Sequence, residues 1–172
     1  MIGHTSPDKV RGRLVKYKLG DCLSIFTSNG NYIAAIMTGK FNKYYNLTLL
    51  EFYKEEKPTL RDFENGKFFG TRFGSWEDLK FAVDQKMVEC KYLDGNSDIE
   101  FVGNLILNEN FISAGYSYFD IIGELHEYYL EELPTRILKS KNAEKFPALG
   151  FVGRHLVETK TIIGKTTSAN TN

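Results

Sequence analysis

The chain is poor in the features that mark several protein classes. It holds two cysteines, Cys22 and Cys90, in 172 residues, too few for the disulfide framework of a small secreted domain. No apolar run approaches the roughly 18–20 residues that a helix needs to span a bilayer. Residues 1–13, MIGHTSPDKVRGR, lack the apolar core of a secretory leader, so a cytoplasmic location is the expectation. Neither sign of charge is in excess, because 22 Lys and Arg balance 22 Asp and Glu to a formal net charge of +0. That argues against a strongly basic nucleic-acid binder and leaves room for a local basic patch alone.

Chemical motifs are scarce as well. His4, His126 and His155 are the three histidines, and none stands at metal-ligand spacing from a cysteine or from another histidine. Gly70-Thr71-Arg72-Phe73-Gly74 lacks the lysine and hydroxyl of a phosphate-binding loop. Gly150-Phe151-Val152-Gly153-Arg154 lacks the third glycine of a dinucleotide fingerprint. No serine occupies a nucleophile elbow, and Asp94-Gly95-Asn96-Ser97-Asp98 reads as a turn rather than a calcium loop. Both cysteines fall inside expected strands, where a buried thiol is inert. The expectation is therefore no metal, no cofactor and no catalytic residue.

What the chain does have is strand-forming material. Hydrophobic residues make up 42% and charged residues 26%, a globular balance. Phenylalanine (13) and tyrosine (10) supply nearly all of the aromatic content beside a single tryptophan, and both favour strands. The run Cys22 to Phe26, the turn Ser28-Asn29-Gly30-Asn31 and the run Tyr32 to Met37 form the strongest hairpin signal. Leu47 to Tyr53 predicts a third strand, covered on both faces for part of its length. Thr59 and Gly66 bracket a short helix as N-cap and stop, and Ser75 to Asp78 offers another helical turn. Met87 to Leu93, the turn at Asp94 to Ser97 and Ile99 to Ile106 predict a second hairpin, whose first strand alternates as if one face were wet. Phe151 to Ile163 predicts a final strand.

The longest helical pattern is Tyr118, Ile121, Ile122, Leu125, Tyr128, Tyr129 and Leu133, spaced by threes and fours and stopped by Pro134. A shorter helical piece is expected from Thr135 to Lys145. The expected class is α+β: a twisted antiparallel sheet of two hairpins plus further strands, packed by a helix in the C-terminal half. Ile25, Ile36, Leu49, Val88 and Phe101 should be buried. The expected domains are a flexible lead over residues 1–13, a single α+β domain over 14–164 and a disordered tail over 165–172.

Two charged features remain. Glu124, Glu127, Glu131 and Glu132 lie on the long helix, and the adjacent Tyr128 and Tyr129 point ~100° apart, so both cannot face the core. Glu124, Glu127, Tyr128, Glu131 and Glu132 form the candidate partner-binding face, suited to a basic protein surface; the alternative is a solvated helix face. Lys9, Arg11, Arg13, Lys16 and Lys18 form the one dense basic cluster, read as a solvated lead. The pairs Tyr44-Tyr45 and Phe68-Phe69 are assigned to the core.

One family resemblance is visible. Val15 to Ile25 contains Gly20-Asp21 leading into an apolar strand, then Asn29-Gly30 and a second strand from Tyr32 to Met37. Tyr45 to Tyr53, Lys57 to Phe63 and Ile99 to Asn104 follow in matching order. This series resembles the bacterial immunity proteins of polymorphic toxins known as immunity protein 26, over about residues 15–107. Phe101 takes the general position where that family has tryptophan, and the region after about residue 110 has no counterpart. The resemblance implies a cytoplasmic, non-enzymatic inhibitor that binds one toxin, and it transfers no catalytic residue. The alternatives are a small binding module for nucleic acid, peptide or small ligand, and an enzyme using Glu and Tyr residues in a pocket.

Overall fold

The computed structural model describes residues 9–10, 13–14, 16–73, 80–108, 112–119, 125 and 151–164. Two short strands come first, β1 (Lys9–Val10) and β2 (Arg13–Leu14), paired only with each other. The body is one sheet built from β3 (Asp21–Phe26), β4 (Tyr32–Phe41), β5 (Tyr44–Lys54), β6 (Lys67–Phe73), β7 (Lys80–Glu89), β8 (Ile99–Asn104), β9 (Ile112–Phe119) and β10 (Phe151–Glu158). Its order is β10-β6-β7-β5-β4-β3-β8, with β9 added to β7 and a further contact between β6 and β5. Every pairing in it is antiparallel except β7 with β9. The helices α1 (Leu60–Glu64) and α2 (Cys90–Leu93) are single turns, and Leu125 is helical and fully buried. The class is α+β, as the patterning predicts.

The first hairpin forms where the turn chemistry places it. Gly30 has φ +84°, the left-handed region that glycine enters without steric cost. Thr27 N–H donates to Asn31 O at 2.8 Å, and the ladder runs from Phe26 against Tyr32 to Cys22 against Ile36. In β5, Leu47, Thr48, Leu49 and Leu50 are all buried, as a strand covered on both faces requires. Successive side chains point to opposite faces of a strand, so Leu47 and Leu49 pack into one core and Leu50 and Phe52 into the other. Thr59 caps α1, its N–H and hydroxyl both meeting the Asp62 carboxylate at 2.7 and 3.0 Å.

Two cores result, one on each face of the sheet. Leu23, Ile25, Ile33, Ala35, Met37, Leu47 and Val88 build the first, closed by Tyr17, by Cys90 and Leu93 of α2, and by Leu125. Cys22, Ala34, Ile36, Leu50 and Phe68 build the second, closed by Phe63 of α1, Leu105, Leu107 and Ile162. Of the residues expected in the core, Ile25, Ile36, Leu49 and Val88 are there.

Three expectations are corrected. The second hairpin does not exist: β8 pairs with β3 rather than with β7. The expected strand curls after Glu89 into α2, where Cys90 and Leu93, three residues apart, both reach the first core. Alternation over four residues fits a strand or a helical turn equally, and the Cys90 N–H bond to Lys43 O at 2.8 Å fixes the turn. The charged residues of that run do face water, Glu89 in part and Lys91 more fully, but Glu89 closes β7 and Lys91 lies in α2, while Gln85, Lys86, Met87 and Val88 before them are buried in mid-sheet. Finally, Tyr118 is not a helix start but part of β9, whose alternation of large with small residues suits a strand beside β7. Ser75 to Asp78, the rest of the Tyr118–Leu133 pattern apart from Leu125, and the Thr135–Lys145 piece lie outside the described residues.

Candidate functional site

The sheet ends at β8, which pairs with β3 on one side and with no described strand on the other. Along this edge lies an open cleft of about 620 Å³, lined by Lys16, Tyr17, Lys18, Leu19 and Asp21 of the entering chain and by Phe101 and Asn104 of β8. Strand alternation explains the grouping. Asp21 and Leu23 share a face of β3, and their cross-strand partners are Asn104 and Phe101. The register shifts between Cys22 and Leu23, so β8 has one extra residue, Val102, which packs on the second core with Gly103 against Leu60.

A tightly made corner holds the cleft's near wall. Gly20 has φ +87°, and a Cβ there would stand 1.9 Å from the Leu105 carbonyl oxygen. Gly20 N–H donates to Met37 O at 2.8 Å, and Gly20 O accepts from Leu105 N–H at 2.9 Å. The Asp21 carboxylate is 3% exposed and satisfied at both oxygens: Oδ2 accepts from Lys18 N–H at 2.9 Å and Oδ1 from Asn104 Nδ2 at 2.8 Å. Asn104 Nδ2 also donates to Leu19 O at 3.0 Å. The Gly-Asp pair thus fixes how the chain enters the sheet, and its carboxylate is held by neutral donors rather than offered to a ligand.

Behind the cleft, Tyr17 stacks edge-on against Tyr45 with ring centroids 5.9 Å apart. Tyr45 Oη donates to Asp94 Oδ1 at 2.6 Å, and burial with this carboxylate drives the phenol's pKa well above its ordinary value. Burial also raises the Tyr17 phenol, with the Lys16 ammonium pulling the other way. The Lys16 Nζ stands over the Tyr17 ring at 5.4 Å from its centroid, a cation–π contact.

The rim differs in character. Leu19 is 54% exposed and Phe101 55% exposed. Phe101 was expected in the core; it stands out because β8 is the last strand and no described element flanks it. Lys16 and Lys18 are exposed, and neither has an ion pair among the described residues. The exposed Glu100 sits on the opposite face, held by Lys57 at 3.0 Å. The rim therefore combines two apolar side chains with two ammonium groups that have no ion pair among the described residues.

Reactive groups are not assembled in the cleft. Cys22 and Cys90 are buried free thiols, pushed up to about 12 and about 11 chiefly by burial, with Asp21 and Asp94 respectively adding to the rise. Among the described residues, no group of three or more His, Cys, Asp or Glu is placed to hold a metal ion, and no helix is long and apolar enough to cross a membrane. The candidate face on Glu124, Glu127, Tyr128, Glu131 and Glu132 lies outside the described residues. Sequence patterning missed Leu19 and Phe101. The available signal was Lys16-Tyr17-Lys18-Leu19, where bulky side chains alternate with charge immediately before the first strand. Compared with family models, with curated proteins and with solved structures, the chain matches none.

Proposed function

We propose that the chain is an immunity protein, a non-catalytic inhibitor that binds one cognate bacterial toxin and neutralises it by covering a surface the toxin needs. The carrying observation is the rim at the sheet edge, where Leu19 and Phe101 are more than half exposed beside Lys16 and Lys18. Exposed aromatic and aliphatic anchors next to uncompensated charge are what a protein interface uses: the anchors supply affinity on desolvation and the charges speed encounter. The ordered resemblance of Gly20-Asp21, Asn29-Gly30 and Ile99 to Asn104 to immunity protein 26 supports the same reading. Glu124, Glu127, Tyr128, Glu131 and Glu132 remain the proposed face for a basic toxin surface.

The test is coexpression with the toxin encoded beside its gene. The expected result is rescue of growth and a stoichiometric complex that survives purification. Growth arrest unchanged by the protein, with no complex, overturns the reading. The alternative of a nucleic-acid module is favoured by one observation, Lys16 and Lys18 beside aromatic rings; salt-sensitive binding to single-stranded RNA or DNA in place of toxin binding would select it.

A further inference from the structure

We infer that the outer edge of β8 receives an extended segment of the partner protein as an added strand, one that alternates apolar side chains with carboxylates. This deepens the proposed function and rests on its premise that the chain acts by binding a protein.

The backbone carries the first part of the inference. Phe26 N–H donates to Asp98 O at 2.8 Å, so Phe26 and Asp98 are a hydrogen-bonded pair of the β3–β8 ladder. Antiparallel pairs alternate. Ser24 with Glu100 is therefore bonded, while Ile25 with Ile99 and Leu23 with Phe101 turn their backbone groups away from each other. The Ile99 N–H confirms the phase, because it bonds Asn96 O within its own turn at 3.2 Å. The Phe101 N–H and C=O consequently point outward, and no described residue meets them. An edge with unpaired backbone groups is a template for another strand.

The side chains choose the occupant. Phe101 and Leu19 offer apolar contact, and Lys16 and Lys18 offer positive charge. On this face the one carboxylate lining the cleft, Asp21, is spent on Lys18 N–H and Asn104. A second copy of the chain would bring Lys16 and Lys18 against their own equivalents across a two-fold axis, which like charge disfavours. An acidic strand has the matching sign.

A short synthetic peptide alternating valine and glutamate around a central phenylalanine, with a counterpart carrying lysine for glutamate, tests this by hydrogen exchange and titration. The Phe101 amide should exchange freely in the free protein and become protected by the glutamate peptide. Phe101→Pro removes one outward N–H without touching the ladder to β3, and should weaken binding about tenfold beyond Phe101→Ala, which keeps that N–H. The double change Lys16→Glu with Lys18→Glu should reverse the preference between the two peptides, and it leaves β8 intact if the proline variant misfolds. Equal binding of both peptides, no protection at Phe101, or protection in the free protein that grows with its concentration each overturns the inference, the last by showing self-pairing. Toxin neutralisation that persists in folded Phe101→Pro and in the double lysine variant defeats the strand-addition mode alone. Peptide protection without any neutralisation defeats the immunity reading and leaves the edge site standing.

Discussion

At the start of β3, both oxygens of the buried Asp21 carboxylate are paired, whereas in the middle of the sheet several buried polar atoms are not. There Gln85 Nε2 donates to Thr38 Oγ1 at 2.9 Å and Thr38 Oγ1 donates to Asn46 O at 3.2 Å. Asn46 Oδ1, Thr48 Oγ1 and Gln85 Oε1 are nevertheless buried without a partner among the described residues. A buried polar group contributes to stability only when its hydrogen bonds are made in the fold, and an unmade one costs roughly 1–3 kcal/mol. The corner therefore holds the chain in place, while the central polar set is retained at the expense of stability.

Substitutions at the two regions should separate them. The largest effect belongs to Gly20→Ala, where the added Cβ meets Leu105 O and the backbone stays at φ +87°. Left-handed strain and overpacking together set a cost of about 2–5 kcal/mol in urea unfolding; a loss under about 1 kcal/mol would mean that the corner relaxes freely. Asp21→Ala removes the hydrogen bonds that its carboxylate accepts from Lys18 N–H and Asn104 Nδ2 and should cost about 1.5–3 kcal/mol, with unfolding again the measurement.

Cys22, whose Sγ lies 3.6 Å from Gly20 O, gives the corner a pH signature. Its thiol is held protonated in the fold, up to about 12 against an ordinary 9.0, so the unfolded chain releases the proton first. The stabilisation is complete below pH 9 and is lost as pH rises through about 12. Urea midpoints between these limits should fall less steeply in Cys22→Ala than in the parent, and equal slopes would remove Cys22 from the account. The smallest effect should come from the centre. Thr48→Val deletes an unpaired hydroxyl at nearly constant shape, and stability should stay level or rise by up to about 1 kcal/mol. A clear loss would show that Thr48 Oγ1 is bonded in solution, and the contrast between the two regions would narrow.

Local signals carried the elements well and the long-range pairing poorly. Asn29-Gly30 specifies the first hairpin because a two-sided turn needs positive φ, and Thr59 with Asp62 specifies α1 through its cap. Both are decided within a few residues. The partner of β8 is not. Ile99 to Asn104 reads as a strand on its own, but nothing within it says whether β7 or β3 lies alongside; the choice is made by α2, which carries the chain away from β7. Phe101 shows the same limit for the site. An aromatic residue in a strand is expected inside, and its exposure follows from β8 being last in the sheet, a property of topology rather than of neighbours in sequence. The Gly20-Asp21 pair was visible as a motif, yet its partners Leu105 and Asn104 lie far along the chain.

That distance also has a meaning in time. Asp21 and Asn104 are separated by 83 residues, and a ribosome adding roughly 5–20 residues per second needs roughly 4–17 s to cover that interval. The first hairpin closes in microseconds, so throughout this wait β3 stands as the open border of a growing sheet, offering Leu23 and Ile25 with nothing beside them. The nascent chain is then most vulnerable to pairing with a neighbouring polypeptide, and arrival of β8 ends the exposure. Slowing translation between Phe52 and Glu100 should accordingly lower soluble yield without altering the stability of the molecules that do fold.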